Sequence, residues 1–395
     1  MPSPPDWSDA TALEPCGPAP VASINRTRLG DRDARDLLSA PALAELAAGA
    51  GLRPVGPLRT YLDRRLAAGD PAAASVAATY GDRLGTLLAT LRAGNRRTRP
   101  EWDESWWRWW TGTTTIRLGG GLAGGAFGAL ASARAAALVG PGCRVVVAPE
   151  PADLPLAGAA RTAARPDGPA LVLDFGHTLV KRAVVAPLPT PAGGPAGPHP
   201  SSAPAAPAGR GATAGGTATA GRAASAGEFG GRAASAGEAG GRAAPVPAAP
   251  VDRAAEAGAG PAGGAPVLRR MRSVGAPPDD LDGAALAAAV AGIVAAAWAD
   301  AGRPAGPVVA SMAAYLRDGQ PYRTPLGLYT RLADVGPDVP ARLRELVGQD
   351  LHVVLLHDGT AAAHAVPPDP RSVVVLLGSS IGVGFPHPCP GLGAA

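Results

Sequence analysis

Two hydrophobic patterns alternate along the chain and predict strands and helices in turn. Short runs of aliphatic and β-branched residues, such as 171–173 and 372–377, are bounded by aspartate, glycine or serine, which is typical of buried strands. Longer segments carry apolar residues at every third or fourth position, most clearly from Ala72 to Leu91, and predict helices. A second long helix is predicted from about Leu281 to Ala301. This alternation is typical of an α/β fold.

The turn after the strand at residues 171–173 has the chemistry of a phosphate-binding hairpin. A carboxylate at a strand end can hold water bound to Mg²⁺, a glycine lets the backbone approach, and turn amides and a hydroxyl donate to phosphate oxygens. The chain has one lysine, which follows this turn, and a compact positive charge suits a phosphate. An ordinary hairpin with a polar turn is the alternative interpretation. The candidate residues are Asp174, Gly176, His177, Thr178 and Lys181.

A second polar turn follows the strand at residues 372–377. Its residues Gly378, Ser379, Ser380 and Gly382 supply successive backbone amides and two hydroxyl groups. Amides and hydroxyls arranged in this way can surround an anion. The sequence therefore predicts a second phosphate cradle near the end of the chain.

Two further segments place chemically useful groups at predicted strand ends. Asp358 follows a strand at residues 351–356 and begins an alanine-rich helix, where it is either a catalytic base or only a helix cap. Gly119, Gly120 and Gly121 lie between a strand and a helix. A base or ribose can lie against the bare backbone of such a junction.

Together these segments resemble the motifs of the actin-like ATPase superfamily of sugar kinases, hexokinases and Hsp70-type ATPases, most closely the bacterial ROK (repressor, ORF, kinase) sugar kinases. Asp174–Lys181 resembles the first phosphate motif of that family, and Gly378–Gly384 resembles the second. Asp358 falls where the family has its catalytic base, and Leu118–Gly125 resembles the adenosine motif. The resemblance implies two ribonuclease H-like domains with mixed sheets flanked by helices and a nucleotide cleft between them.

The motifs stand in a circularly permuted order, because the adenosine half comes first and the first phosphate motif follows it. Permutation is physically permissible, since chain termini generally lie at the surface and are often close together. Residues 187–264 are rich in Pro, Ala, Gly and Ser, contain an imperfect decapeptide repeat, and predict a flexible insertion. The predicted organisation is a disordered segment 1–24, an adenosine-side half 25–165, a phosphate and substrate domain 166–370 interrupted by the insertion 187–264, and strands 371–395 that complete the first half.

The resemblance implies an ATP-dependent phosphotransferase. Asp174 would order Mg²⁺, and Lys181 would place a positive charge beside the phosphates. Asp358 would take the proton from a hydroxyl of a small, sugar-like substrate. The family's asparagines around the base are replaced by His357 and Thr360, and its zinc and sugar-binding motifs are absent. Nucleotide binding is therefore better supported than hexose phosphorylation. A non-catalytic nucleotide sensor of the same fold is the alternative, and a DNA-binding repressor is disfavoured because no helix-turn-helix precedes the motifs.

Composition sets broader limits on the protein class. The 395 residues predict two to three domains, and the 46% hydrophobic fraction is dominated by alanine. The net charge is +4 with scattered arginines, so we expect no nucleic-acid partner. Cys16, Cys143 and Cys389 show no paired spacing, which indicates a reducing compartment. With no leader and no membrane span predicted, we expect a cytoplasmic protein.

A tryptophan cluster follows the long helix. Trp102, Trp106 and either Trp109 or Trp110 fall on one helical face, whereas Trp107 is predicted to lie off it. One interpretation is a stacking platform for a sugar. The favoured interpretation is a helix packed in the core or against a second subunit, which leaves a homodimer open.

Overall fold

The structure is a computed structural model. It describes residues 23–102, 104–164, 168–187, 266–317, 319–324 and 327–386, together with the two short strands at 13–14 and 17–18. The predicted insertion, beyond residue 187, and most of the predicted disordered segment 1–24 lie outside the described residues.

The strands of the described residues are short and mostly buried. Their bounds are β1 Leu13–Glu14, β2 Gly17–Pro18, β3 Arg28–Leu29, β4 Arg32–Asp33, β5 Thr115–Gly119, β6 Arg144–Val147, β7 Ala170–Phe175, β8 Leu179–Val185, β9 Leu268–Gly275, β10 Val308–Met312, β11 Leu316–Arg317, β12 Gln320–Pro321, β13 Val353–His357, β14 Ser372–Leu377 and β15 Ile381–Gly384.

The helices lie between and around these strands, and short 3₁₀ segments occur at Pro151–Asp153 and Leu328–Val335. Their bounds are α1 Arg35–Leu38, α2 Ala40–Gly49, α3 Leu58–Ala67, α4 Pro71–Arg92, α5 Glu104–Thr111, α6 Gly125–Val139, α7 Leu154–Ala163, α8 Gly283–Asp300, α9 Val339–Val347 and α10 Asp358–His364.

The long helix predicted from Ala72 to Leu91 is confirmed as α4. Asp70 caps its start by accepting a hydrogen bond from the Ala72 amide at 2.8 Å, and Pro71 occupies the first helical position, where its missing N–H costs nothing. Gly81 and Gly85 let α4 approach α6 closely, since a Cβ on Gly81 would lie 2.6 Å from the Ala131 carbonyl oxygen. The two helices cover one face of the strands around β5.

The first sheet has five strands in the order β13-β10-β7-β8-β9. β7, β10 and β13 are parallel, β8 pairs antiparallel with β7, and β9 pairs antiparallel with β8 and so runs in the direction of β7. In the register, Ser311 lies beside Asp174 on one side and beside Leu356 on the other. The polar groups at the ends of three parallel strands therefore meet at one edge.

The second sheet has four strands in the order β15-β14-β5-β6. β14, β5 and β6 are parallel, and β15 returns antiparallel to β14. Strands from near both ends of the chain are thus neighbours in one sheet. Mixed sheets flanked by helices confirm the predicted α/β class.

Helices α7 and α10 tie the two sheets together. α7 follows the second sheet's β6 but packs on the first sheet, where Leu156 and Ala160 share a cluster with Val172. α10 follows the first sheet's β13 but packs on β14 and β15, with Ala362 beside Val374. Each helix therefore leaves one sheet and covers the other.

The crossing of these helices depends on glycine. A Cβ on Gly158 of α7 would overlap the Ala361 carbonyl oxygen of α10. A Cβ on Gly359 would overlap the Val383 carbonyl, and one on Gly384 would overlap the Gly359 carbonyl, so α10 also lies directly on the β15 backbone. Atoms this close leave no room for even a methyl group.

The tryptophan cluster is part of the core. Trp107 is 1% exposed, so its predicted position off the buried face is wrong. It packs edge-to-face on Trp102, with ring centroids 4.9 Å apart, while Trp109 and Trp110 pack on Phe385. The helix is buried on more than one face, since Trp107, Trp109 and Trp110 are all at most 8% exposed, and this supports the favoured core interpretation.

Helix α8 is long and apolar enough to cross a membrane, judged by length and composition, and it alone meets that test among the described residues. Leu286, Val290 and Val294 of this helix are buried in the core of the first sheet. Those contacts match the core helix of a folded domain.

We predict that Gly158→Ala destabilises the fold by about 1–3 kcal/mol, because the new methyl group overpacks the crossing of α7 and α10. Gly292→Ala is the matched control, since Gly292 is also inside a helix but a Cβ there meets nothing within 4 Å. The free energy of unfolding of the control should rise by about 0.5–1 kcal/mol through helix propensity alone. Urea unfolding midpoints measure both changes, and equal stabilisation by the two substitutions would contradict the tight crossing.

Candidate functional site

Asp174 ends β7 in a buried polar cluster. Its side chain is only 6% exposed. Oδ1 accepts a hydrogen bond from the Ser311 hydroxyl at 3.0 Å, and Oδ2 accepts one from the Lys181 ammonium group at 2.8 Å. The carboxylate is therefore held in one orientation by a neutral donor and a charged donor, of which the charged bond is the stronger.

Lys181 also reaches the second sheet. Its Nζ donates to the carbonyl oxygen of Ala152 and lies 3.8 Å from the Asp153 carboxylate, in the connection between β6 and α7. Arg270 of β9 makes ion pairs with Glu150 and Asp153 in the same connection. The carboxyl-terminal edges of the two sheets thus face each other, with Lys181 between them.

Asp358 begins α10 at the end of β13, close enough to Asp174 and Lys181 for their charges to act on it. Burial and the nearby Asp174 charge raise its pKa to about 7, although the Gly359 amide and Lys181 act in the opposite direction. Oδ1 accepts a hydrogen bond from the Gly359 N–H at 2.6 Å. A carboxyl group with a pKa near neutrality can exchange a proton at physiological pH.

His357 lies beside Asp358 and is almost completely buried. Burial lowers the pKa of its ring to about 3, so the ring is neutral. Nδ1 accepts a hydrogen bond from the Thr360 amide at 3.3 Å, and Nε2 lies 3.2 Å from Asp358 Oδ1. The Tyr315 ring stacks on the imidazole with ring centroids 5.4 Å apart.

The predicted first phosphate turn is a tight connection between β7 and β8. The Gly176 amide donates to the carbonyls of Asp174 and Leu179, and the Gly176 carbonyl accepts a bond from the Tyr329 hydroxyl at 3.0 Å. His177 is half-buried with Nε2 3.8 Å from Asp279, and Thr178 is exposed. The turn is therefore fixed by the Tyr329 hydroxyl and by its own backbone hydrogen bonds, while Thr178 is exposed to solvent.

The predicted second phosphate turn connects β14 and β15. The Gly378 amide bonds to the Ser380 carbonyl, and the Gly378 carbonyl accepts a bond from the Ala40 amide at 2.8 Å. Ser379 is half-buried. Gly382 follows on β15, where a Cβ would lie only 3.2 Å from Asp358 Oδ1. This turn and the candidate base are thus neighbours.

Asn25 fixes the strand that leaves this second turn. Its Nδ2 donates to the Ile381 carbonyl, and its Oδ1 accepts a bond from the Ile381 amide, both at 2.8 Å. One side chain therefore pairs with a strand edge as a neighbouring strand would. The N-terminal part of the chain in this way holds a turn near its other end.

The three predicted adenosine glycines occupy different environments. Gly119 ends β5 in the core, and Gly120 has φ +87° with a backbone so close to Leu377 that a Cβ would be excluded. The Gly120 amide donates to the Pro151 carbonyl at 2.6 Å. Gly121 is exposed, with open space around its Cα. The glycine turn lies next to the connection that Lys181 contacts.

The structure brings together Asp174, Lys181 and Asp358, and it adds partners that sequence reasoning missed. The available signal for Ser311 was its polar side chain at the end of the aliphatic run 307–310. Asn25 and Tyr315 gave no comparable signal, because their importance depends on contacts distant in sequence.

Among the described residues no group of three or more His, Cys, Asp and Glu side chains is arranged to hold a metal ion. Comparisons of the chain with protein-family models, with curated proteins and with solved structures find no match.

We predict opposite pH effects of Asp358 and His357 on stability. The raised pKa of Asp358 makes the folded chain hold a proton that the unfolded chain releases, so its stabilising effect is lost as pH rises from about 4 to about 7. The lowered pKa of His357 stabilises the fold above about pH 6.5, and this effect is lost as pH falls towards about 3.

The two effects should partly cancel in the unsubstituted protein. In Asp358→Asn only the effect of His357 remains, and the free energy of unfolding should rise with pH between about 4 and 6.5. In His357→Gln the aspartate effect remains, and stability should fall over the same range. Urea unfolding at several pH values measures both slopes, and two variants with the same slope would contradict the assignment.

Proposed function

We propose that the protein is an ATP-dependent phosphotransferase of the actin-like ATPase superfamily, of the ROK sugar-kinase type, with its two halves in permuted order. Its γ-phosphoryl acceptor is a hydroxyl group of a small, sugar-like molecule. The observation that carries the proposal is the position of Lys181, which contacts Asp174 on the first sheet and the β6–α7 connection of the second.

The strand order supports two ribonuclease H-like domains. Numbered from β7, the first sheet has the order 3-2-1-4-5 with only the second strand antiparallel to the rest, which is the arrangement of that fold. Numbered from β14 and read through the permutation, the second sheet has the order 2-1-3-4, which is the pattern of the first sheet without its third strand. The exchanged helices α7 and α10 follow the equivalent last strands of the two sheets.

The edge-to-edge arrangement supports a nucleotide cleft. Ligands of open α/β sheets bind at the carboxyl ends of the strands, and here two such edges face each other. The turns at 176–178 and 378–380 would contribute phosphate-binding amides from the two sides, and the backbone at Gly119–Gly121 would lie against the nucleoside.

The chain's own residues supply positioning and charge in the proposed reaction. Lys181 would leave part of its contact with Asp174 to stabilise the negative charge on the phosphates, since phosphoryl transfer depends mainly on electrostatics and positioning. Asp358 would accept the proton of the attacking hydroxyl. The helix crossing at Gly158 would keep the two edges aligned.

The residues fit a hydrated magnesium ion. Mg²⁺ in kinase sites is held by one or two carboxylates, water and substrate phosphates rather than by an all-protein cage. Asp174 pairs with Lys181 and has lone pairs beyond those used by Ser311 and Lys181, so it could accept a hydrogen bond from water on the ion. The bound ion would neutralise charge that develops on the phosphates.

A non-catalytic nucleotide sensor of the same fold is the second candidate. His357 and Thr360 replace two asparagines of the kinase motif, and His357 is turned into the core instead of towards an acceptor. A sensor would bind nucleotide without hydrolysis or transfer. Turnover that disappears in an Asp358 variant would therefore favour the phosphotransferase.

We predict that the protein binds MgATP and that Asp174→Ala weakens this binding at least tenfold, because the anchor of the hydrated ion is lost. Asp358→Asn should leave binding nearly unchanged but lower turnover about 10²–10⁴-fold, the usual contribution of a general base. Calorimetric titration with and without Mg²⁺ measures binding, and release of ADP with water or a panel of sugars as acceptor measures turnover.

Asp82→Asn is the matched control, since Asp82 forms a surface ion pair with Arg134 on the outer helices. It should change neither quantity. The absence of binding at millimolar MgATP would overturn the proposal, and binding without turnover in the unsubstituted protein would favour the sensor.

A further inference from the structure

His357 carries a role that the proposed mechanism does not use. Its ring is 4% exposed, the Tyr315 ring stacks on it with centroids 5.4 Å apart, and Asp358 Oδ1 lies 3.2 Å from its Nε2. Both ring nitrogens face polar atoms. The direction of each contact follows from the hydrogen-bonding capacity of a neutral imidazole.

The tautomer of His357 is fixed by helix α10. The Thr360 amide can only donate, so Nδ1 must be the unprotonated nitrogen that accepts its bond. A neutral ring then carries its proton on Nε2. Nε2 lies 3.2 Å from Asp358 Oδ1, so the donor of the ring is near the carboxylate, although the contact is not aligned as a formed hydrogen bond. His357 is not itself a free base, because neither nitrogen is left to take a proton.

The two oxygens of Asp358 are therefore unequal. Oδ1 lies 2.6 Å from the Gly359 amide nitrogen and 3.2 Å from His357 Nε2, and a Cβ on Gly382 would lie 3.2 Å from the same oxygen. Among the described residues no hydrogen-bond donor is assigned to Oδ2. The second oxygen is the one left for a ligand.

We propose that His357 is a positioning residue, whose Nε2–H aligns with Oδ1 of Asp358 when the acceptor binds and leaves Oδ2 to accept the proton of the attacking hydroxyl. This inference rests on the proposed function. As the hydroxyl oxygen bonds to the γ-phosphorus, the bond from that phosphorus to the bridging oxygen breaks, ADP leaves with the electron pair, and the hydroxyl proton passes to Oδ2.

Two substitutions separate this role from simple helix capping. Asparagine places an acceptor at the position of Nδ1 but no atom at that of Nε2, so His357→Asn keeps the cap and loses the donor. Glutamine places an amide N–H near the position of Nε2, so His357→Gln keeps the donor and loses the cap. His352→Asn and His352→Gln are the matched controls on an exposed histidine.

The kinetic test uses MgATP with water as the acceptor. In His357→Asn we expect kcat to fall about 10–100-fold with KM for MgATP nearly unchanged, because only the orientation of the base is lost. In His357→Gln kcat should stay within about threefold, although the urea unfolding midpoint falls through loss of the cap. The His352 variants should match the unsubstituted protein. The proposal would be overturned if kcat were retained in His357→Asn, which keeps the cap, and fell in His357→Gln, which keeps the donor.

Nitrogen NMR of protein labelled with ¹⁵N-histidine tests the geometry independently of activity. The His357 ring, assigned by its loss in His357→Gln, should show the neutral Nε2–H tautomer at neutral pH, and Asp358→Asn should shift its Nε2 resonance but not that of His352. A charged ring or the Nδ1–H tautomer would overturn the proposal. If the unsubstituted protein hydrolyses no ATP while this tautomer is found, the proposed function fails and the placement of His357 stands.

Discussion

The close crossing of α7 and α10 is the constraint on which the rest of the structure depends. Each helix follows the last parallel strand of one sheet and covers the other sheet, and they touch where Gly158 faces the Ala361 carbonyl. A side chain at this point would separate the helices and with them the two sheets. The facing of the two carboxyl-terminal edges thus depends on backbone contact between Gly158 and Ala361.

The charged groups at the facing carboxyl-terminal edges interact because the helix crossing holds the two sheets together. Asp174 and Asp358 are close enough for the charge of one to raise the pKa of the other, and Lys181 offsets part of their repulsion. With one cation beside two buried carboxyl groups, the pKa of one of them, Asp358, is raised to near neutral pH. An environment of this kind is typical of functional sites, although structural ion-pair networks also perturb pKa values.

Much of the local structure could be predicted from the sequence, because strand ends with Asp, Gly and Ser carry strong local signals. The strands and turns around Asp174, Asp358 and Gly378 occur where those patterns indicate them. Contacts that join distant parts of the chain could not be predicted. Asn25 pairs with Ile381 across 356 positions, and the helical periodicity of the tryptophan segment did not show that Phe385 packs on Trp109.

Hydrogen–deuterium exchange with and without MgATP tests most directly whether the two facing edges form one nucleotide site. The account predicts that MgATP slows exchange together in three segments that are remote in sequence, at residues 119–122, 176–181 and 378–382, and that Asp174→Ala abolishes all three effects. Protection confined to one of these segments, or located on the outer helices, would contradict a shared cleft between the two sheets.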